Sequence, residues 1–186
     1  MRGSAPRGEP RRAAITEAAL ELFVERGFRA VTVDDVARAA GASKATIARF
    51  YGGRQGLLTA ALELEMDLVF APVEGARDLP AFAEALHAVV FSPRCLQLLR
   101  FVVGETPSTP ELGETFRGVV LPRIARAAAP LVARARGTEV DDASTPVAVD
   151  ELLGDLLGTA LLEAMTGGDP APERLARLRR RALASG

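Results

Sequence analysis

Three polar side chains, Lys44, Thr46 and Arg49, share the outer side of a short segment whose inner side is apolar. The spacing predicts a helix of about eight residues, with Ile47 and one of the two aromatic residues that follow turned inward. A polar, basic helix held at a fixed angle by a small apolar partner is typical of a helix-turn-helix. The chemistry expected at this surface is the binding of nucleic acid.

Two helix-start signals and one helix-stop signal position this segment. Thr32 can cap a helix, and Asp35, three residues later, can reach back to the Thr32 backbone in a capping box. Gly41 can take the left-handed conformation that ends a helix, and Ser43 can cap the next one. Residues 32–51 are therefore predicted to form two short helices around a tight turn.

The rest of the chain has helical periodicity and no pattern of period two, so the predicted fold is all-α with about nine helices. Pro72 is expected to end the fourth helix, because proline cannot continue a helix interior. Pro122 and Pro130 are expected to kink or split a later one. The other predicted helices span residues 11–26, 54 to about 70, 79 to about 91, 111–136, 147–165 and 173–184, with one more starting at Ser92-Pro93.

Charge is unevenly distributed over the 186 residues. The chain has a net charge of −1, but residues 1–56 carry +4 and the remainder carries −5. A basic N-terminal part on an acidic body suits a protein with one nucleic-acid-binding end. Chance fluctuation on a solvated surface is the alternative.

The residues needed for catalysis or metal binding are scarce. The chain has one histidine and one cysteine, and it lacks a glycine-rich phosphate loop and a His-Glu metal spacing. We therefore predict that the protein is not an enzyme and needs no cofactor or metal. A single cysteine fits a reducing compartment, and no apolar run is long enough for a membrane span, so the predicted location is the cytoplasm, with no membrane partner.

The segment 32–51 resembles the DNA-binding domain of the TetR family of bacterial transcriptional repressors. The resemblance rests on a Thr-x-x-x-Val-Ala helix start, a Gly-x-Ser turn and a Thr-Ile pair in the following helix. An aromatic residue and a fourth helix come next, and the similarity covers roughly residues 11–62. It implies a regulator that binds double-stranded operator DNA as a homodimer and associates with the nucleoid when bound.

The resemblance also implies a domain organisation. It places a three-helix helix-turn-helix domain at 11–56, and the Pro, Gly and Arg content of residues 1–10 predicts a disordered basic arm before that domain. A helical ligand-binding and dimerisation domain would follow at 57–186. The implied function is that of a repressor released from its operator by an unknown small, largely apolar ligand. The alternative is a helical protein-interaction or small-molecule-binding protein that kept the helix-turn-helix as scaffold.

In the family the third helix reads bases, and its flanking caps hold phosphates. Carried over by position, Lys44, Ala45, Ala48 and Arg49 would face base edges. This chain has Phe50 where a hydrogen-bonding aromatic residue is usual, so Tyr51 either supplies the missing hydroxyl or belongs to the core. The predicted DNA-binding residues are Thr32, Ser43, Lys44, Ala45, Thr46, Ala48, Arg49, Tyr51 and Arg54.

The apolar face of residues 147–165 is wider than one neighbouring helix can cover, which suggests a partner subunit. Gly154 and Gly158 are four residues apart and would let two helices approach closely. Burial inside the monomer is the alternative. By the resemblance, the last two helices form the dimer interface, and its predicted residues are Leu153, Gly154, Leu157, Gly158, Leu161, Leu175 and Leu178.

A ligand pocket is implied between the helices of residues 79–136. Few strong polar anchors occur there, which favours an apolar or aromatic small molecule. His87 is the only histidine, and a structural hydrogen-bonding role is the alternative for it. The pocket candidates are Phe82, His87, Phe91, Cys95, Phe101 and Phe116.

Overall fold

The computed structural model describes the chain from residue 9 to 27 and from 30 to 184, and these residues form helices without any strand. The all-α prediction is confirmed. Of the predicted arm, residues 1–8 lie outside the described part. The helices are α1 (Glu9–Arg26), α2 (Val33–Ala39), α3 (Lys44–Tyr51), α4 (Arg54–Glu74), α5 (Leu79–Val90), α6 (Pro93–Glu105), α7 (Pro110–Arg136), α8 (Thr145–Met165) and α9 (Pro172–Ala184).

The helices divide into two compact units, and the first contains the helix-turn-helix. It is formed by the described residues up to Leu68 together with Phe101–Val119. Within it α1 packs against α2, and α2 packs against α3. Burial of apolar side chains from these helices stabilises the unit. Its most deeply buried large side chains are Ile15, Val31, Val36, Ile47, Leu57, Met66 and Leu112.

The second unit consists of Val69–Arg100 and the described residues from Val120 onward. Here α8 packs against α9, and α5 contacts both of them. Phe82 and Leu86 of α5 and Leu156 of α8 are fully buried in its core. Taken singly, none of the described helices has the length and apolar content to cross a membrane, although α5 and α6, bent by 66° at their junction, meet both criteria as a pair.

The proline positions behave differently from the prediction. α4 continues through Pro72 to Glu74, and α7 is unbroken from Pro110 to Arg136. A proline removes one backbone hydrogen bond, and the α4 end is still closed by a bond from Gly75 N to Ala71 O at 2.9 Å. The interruption occurs in α8 instead, where Gly158 has φ 35° and ψ −136°. Glycine alone tolerates such angles without a Cβ clash.

Candidate nucleic-acid interface

The N-termini of α2 and α3 are both closed by side-chain caps. Thr32 Oγ1 accepts a hydrogen bond from Asp35 N at 3.2 Å, and the Asp35 carboxylate accepts one from Thr32 N at 2.9 Å, which confirms the predicted capping box. Two hydrogen bonds from Thr32 hold the pKa of the Asp35 carboxyl below its usual value, and the bond from the side chain has a larger effect than the bond from the backbone N–H. Ser43 Oγ accepts from Thr46 N at 3.1 Å. A serine cap of this kind contributes about 1 kcal/mol.

The turn between the two helices has the predicted geometry. Gly41 has φ 58°, the left-handed conformation that lets the chain leave α2. Arg11 of α1 donates a hydrogen bond to the Gly41 carbonyl at 3.3 Å. The first turns of α1 therefore lie beside the α2–α3 turn.

One side of α3 is buried and the other is exposed. Ile47 has no exposed surface and anchors the helix in the core. Lys44, Ala45, Ala48 and Arg49 are all exposed. The structure thus brings together the four side chains that were predicted to face base edges.

Lys44 has an acidic neighbour that the sequence analysis did not identify. Its Nζ lies 2.6 Å from Oδ1 of Asp34, a residue in the first turn of α2. The side chains are 68% and 47% exposed. Exposed ion pairs contribute about 0–1 kcal/mol to stability. The pair therefore orients Lys44 but adds little to the folding free energy.

The predicted phosphate-binding hydroxyls are engaged within the protein. The Thr32 hydroxyl donates to Asp35, and the hydroxyls of Ser43 and Thr46 are 2.9 Å apart. Thr32 and Ser43 are exposed, whereas Thr46 is half-buried. Their caps hold the helices in place with or without DNA, and their contact with phosphate remains a prediction.

Tyr51 turns its hydroxyl toward α1. It donates to the Arg12 carbonyl at 2.8 Å, and it lies 2.9 Å from the Thr16 hydroxyl. These contacts favour the core alternative for Tyr51 over a phosphate contact. Arg54 begins α4 and is half-buried, and burial lowers the pKa of its guanidinium, which stays positively charged at neutral pH.

The six pocket candidates are divided between the two units. Phe101 and Phe116 belong to the first unit, and the other four belong to the second. Phe82 and His87 are buried, while Phe91 and Cys95 are half-buried. A cavity of about 320 Å³ in the second unit is lined by α5, α7, α8 and α9, and none of the six candidates lines it.

His87 connects three helices of the second unit. Its Nε2 lies 2.8 Å from the Leu156 carbonyl of α8, and its Nδ1 lies 3.1 Å from an Arg179 guanidinium nitrogen of α9. A carbonyl only accepts and a guanidinium only donates, so the neutral ring carries its hydrogen on Nε2. Burial and, to a smaller extent, the Arg179 charge lower the pKa of His87. This arrangement favours the structural alternative.

We expect the stability of the protein to fall as the pH drops below about 6.5, the pKa of an unperturbed histidine. Below this pH His87 is protonated in the unfolded chain but stays neutral in the folded protein. The free energy of unfolding therefore decreases by up to about 1.4 kcal/mol per pH unit, until the pH reaches the pKa of His87 in the folded protein. Urea denaturation between pH 7.5 and 5.5 measures this slope. His87→Gln should reduce it, and an identical slope in parent and variant would contradict this assignment.

The predicted dimer-interface residues of α8 and α9 are exposed or half-buried in the single chain, and one of them, Gly154, also lines the cavity of the second unit. Gly154 and Gly158 are exposed, and a Cβ added to either would meet nothing within 4 Å. Leu162 of α8, which was not among the predicted interface residues, is 65% exposed although it is large and apolar. The remaining predicted residues are all half-buried: Leu153, Leu157, Leu161, Leu175 and Leu178.

Two residues of the candidate nucleic-acid interface, Asp34 and Arg12, were missed in the sequence analysis. Asp34 and Arg12 entered the sequence analysis only through the net charge of residues 1–56. Asp34 contacts a residue ten positions away, and the Arg12 carbonyl is bonded to Tyr51, 39 positions away. No local pattern connects positions so far apart.

The first unit therefore has the architecture of a helix-turn-helix DNA-binding protein. Residues 15–61 match the family description "Bacterial regulatory proteins, tetR family", and residues 77–184 match "AefR-like transcriptional repressor, C-terminal domain". The second match alone covers more than half of the chain. The chain belongs to the TetR family of bacterial regulatory proteins, as the helix-turn-helix residues predicted.

Similar proteins carry regulator names. The HTH-type transcriptional regulator SrpR of Pseudomonas putida is 31% identical over 106 residues, which cover 55% of this chain and 50% of SrpR. A TetR transcriptional regulator from Agrobacterium tumefaciens has 26% identity and a TM-score of 0.73, over 95% of this chain and 92% of that one. The flavonoid-responsive regulator FrrA has 25% identity and a TM-score of 0.73, over 95% of both chains.

The matches to curated relatives are partial in length. This chain covers between 22% and 50% of the proteins it matches. The solved structures of the Agrobacterium regulator and FrrA, in contrast, are matched almost end to end. The fold comparison therefore extends over both units, whereas the curated names rest on partial matches.

Proposed function

We propose that the protein is a transcriptional regulator that reads operator DNA with α3. The observation that supports this most directly is the exposed basic face of α3, with Lys44 and Arg49 at opposite ends of a helix capped at Ser43. A helix of this kind fits the major groove, where lysine and arginine donate to guanine O6 and N7. Ala45 and Ala48 are small enough to rest on thymine methyl groups.

Binding to the DNA upstream of the gene itself tests this proposal. Mobility shifts at about 50 and 200 mM salt should show a specific complex that weakens steeply with salt, because bound cations are released from the phosphates. A genomic binding selection should enrich one duplex sequence. If no DNA fragment is enriched, the alternative of a protein-interaction module with a helix-turn-helix scaffold is supported instead.

The proposal includes a homodimer formed through α8 and α9. The outer face of α8 leaves Leu162 exposed and Leu157 and Leu161 half-buried, in line with an interface that a second copy would cover. A two-fold dimer places two reading helices on successive turns of the major groove, about 34 Å apart or a multiple of that. DNA binding through a palindromic site would follow from this symmetry.

Leu162→Glu is expected to produce monomers, because a buried charge at the interface would lack a partner. The substituted side chain is exposed in the single chain, so folding should be retained. Leu121→Glu is the matched control, since Leu121 of α7 is 52% exposed and outside the predicted interface. Sedimentation velocity should give a dimer for the parent and the control. A dimer of unchanged affinity for Leu162→Glu would contradict this interface.

We also propose that the regulator is a repressor released by a small, largely apolar ligand. The match of residues 77–184 to a repressor domain supports the first part, and the likeness to a flavonoid-responsive regulator supports the second. A flavonoid aglycone is therefore the first probe to add to the mobility shift. Release of the specific duplex by micromolar probe would support this ligand class, and an unchanged complex would count against it.

A further inference from the structure

Two aromatic rings at the C-terminal end of α3 contact arginine side chains from two helices. The Arg49 guanidinium lies 4.7 Å from the centroid of the Phe50 ring, and the Arg12 guanidinium lies 5.8 Å from it. Arg12 is also 5.7 Å from the centroid of Tyr51. A guanidinium within about 6 Å of an aromatic centroid is attracted by the ring quadrupole. Phe50 and Tyr51 thus form a platform for Arg12, while Phe50 also contacts Arg49.

The backbone of Arg12 is held in place as well as its side chain. The Arg12 carbonyl accepts hydrogen bonds from the Tyr51 hydroxyl at 2.8 Å and from the Thr16 hydroxyl at 3.1 Å. The two rings meet edge to face, with centroids 6.3 Å apart and an interplanar angle of 89°. Arg12 is therefore fixed at two points against the end of the reading helix.

This fixed arginine is placed on the exposed side of the helix-turn-helix. The side chains of Arg12 and Arg49 are both exposed, and Arg11, the residue before Arg12, reaches the Gly41 carbonyl of the α2–α3 turn. The start of α1 therefore lies along the turn, and Arg12 lies at the far end of α3. Arginine stays charged at all relevant pH values, and an aromatic ring accepts no classical hydrogen bond, so the guanidinium N–H groups of Arg12 can still donate to an anion.

We propose that Arg12 is a phosphate-binding residue of the DNA interface and that Phe50 and Tyr51 position it. The inference rests on the proposed function. Phe50 has no polar atom with which to bond a phosphate, so its part is to hold the guanidinium groups of Arg12 and Arg49. Because a phosphate contact carries no sequence information, Arg12 adds affinity for every duplex, whereas Lys44 and Arg49 discriminate between sequences.

The salt dependence of DNA binding tests this assignment. Binding of the enriched duplex and of an unrelated duplex is measured by fluorescence anisotropy between about 50 and 300 mM salt. A bound homodimer carries two copies of Arg12, so Arg12→Ala should weaken both duplexes by about tenfold or more, and the slope of log affinity against log salt should become shallower by about 1.8. Arg177→Ala is the matched control, because it removes one exposed arginine of α9 and should leave both slopes unchanged.

Variants of Phe50 test the positioning step. Phe50→Leu removes the ring and should make the slope shallower, while Phe50→Tyr keeps the ring and should retain the full slope. In the double variant Arg12→Ala/Phe50→Leu the effects should be less than additive, because both act on the Arg12 contact. Circular dichroism melts establish that each variant is folded at the assay temperature.

Three outcomes would overturn the inference. If the parent binds its duplex specifically and Arg12→Ala has the same salt slope, Arg12 makes no phosphate contact. Fully additive effects of Arg12→Ala and Phe50→Leu would show that the ring does not position Arg12. If the parent shows no salt-dependent binding to any duplex, the proposed function fails, and the role of Arg12 fails with it.

Discussion

Lys44→Ala is expected to weaken binding to the specific duplex about ten- to hundredfold, with a much smaller effect on unrelated DNA. A well-placed base contact is worth roughly 1–3 kcal/mol of discrimination, which corresponds to this range. The variant also leaves the Asp34 carboxylate without its 2.6 Å partner beside the DNA surface. Anisotropy titrations with specific and unrelated duplexes measure the ratio of the two affinities, and this ratio should fall by nearly the same factor, with the remainder supplied by Arg49.

Loss of folding would not explain this result. Lys44 is 68% exposed and its ion pair is exposed too, so the change in unfolding free energy should stay within about 1 kcal/mol. Asp34→Asn is the matched control, because it breaks the same ion pair but keeps the lysine. It should bind unrelated DNA more tightly than the parent does, since a negative charge is removed from the surface. If Lys44→Ala kept the parent's ratio of specific to unrelated affinity, Lys44 would not be a base-reading residue of α3.

Gly56→Ala is expected to destabilise the first unit by about 1–3 kcal/mol, the usual cost of overpacking a well-packed site. Gly56 lies in the first turn of α4, where an added Cβ would overlap the backbone carbonyl of Tyr51. Neither α3 nor α4 can move freely. Tyr51 at the end of α3 is hydrogen-bonded to α1, and the chain between α3 and α4 turns at Gly52 and Gly53 with positive φ. The variant should therefore also displace α3 and weaken DNA binding.

Gly118→Ala provides a matched control for this substitution. Gly118 lies within α7, and a Cβ there meets nothing within 4 Å. Alanine loses less conformational freedom than glycine when a helix forms, so this variant should be more stable than the parent by about 0.5–1 kcal/mol. Thermal and urea unfolding of the two variants should change in opposite directions. Equal or greater stability of Gly56→Ala would show that the α3–α4 turn relaxes freely.

Local patterns predicted the secondary structure of the first unit well. The capping box at Thr32 and Asp35 joins residues three positions apart, and the serine cap at Ser43 acts over the same distance. Such bonds depend on short-range geometry, which the order of residues fixes. The prediction that Pro72 ends the fourth helix was wrong, and α7 is not split at Pro122 or Pro130, where a kink remains a prediction.

The use of each polar side chain could not be predicted in the same way. The sequence allowed two roles for Tyr51, a phosphate contact or a place in the core, and its hydrogen bonds to α1 favour the core. His87 was a pocket candidate, yet its two ring nitrogens lie at hydrogen-bonding distance from α8 and α9. The partners in these bonds are between 35 and 92 positions away along the chain.

The sequence by itself determined the all-α fold, the two capped helices around Gly41 and the family. These features follow from helical periodicity and from hydrogen bonds within one turn. Only the tertiary structure decided that Lys44 pairs with Asp34, that Arg12 lies against Phe50 and Tyr51, and that α8 is interrupted at Gly158. The choice of such partners depends on which helix faces meet, and that is settled by the packing of the whole unit.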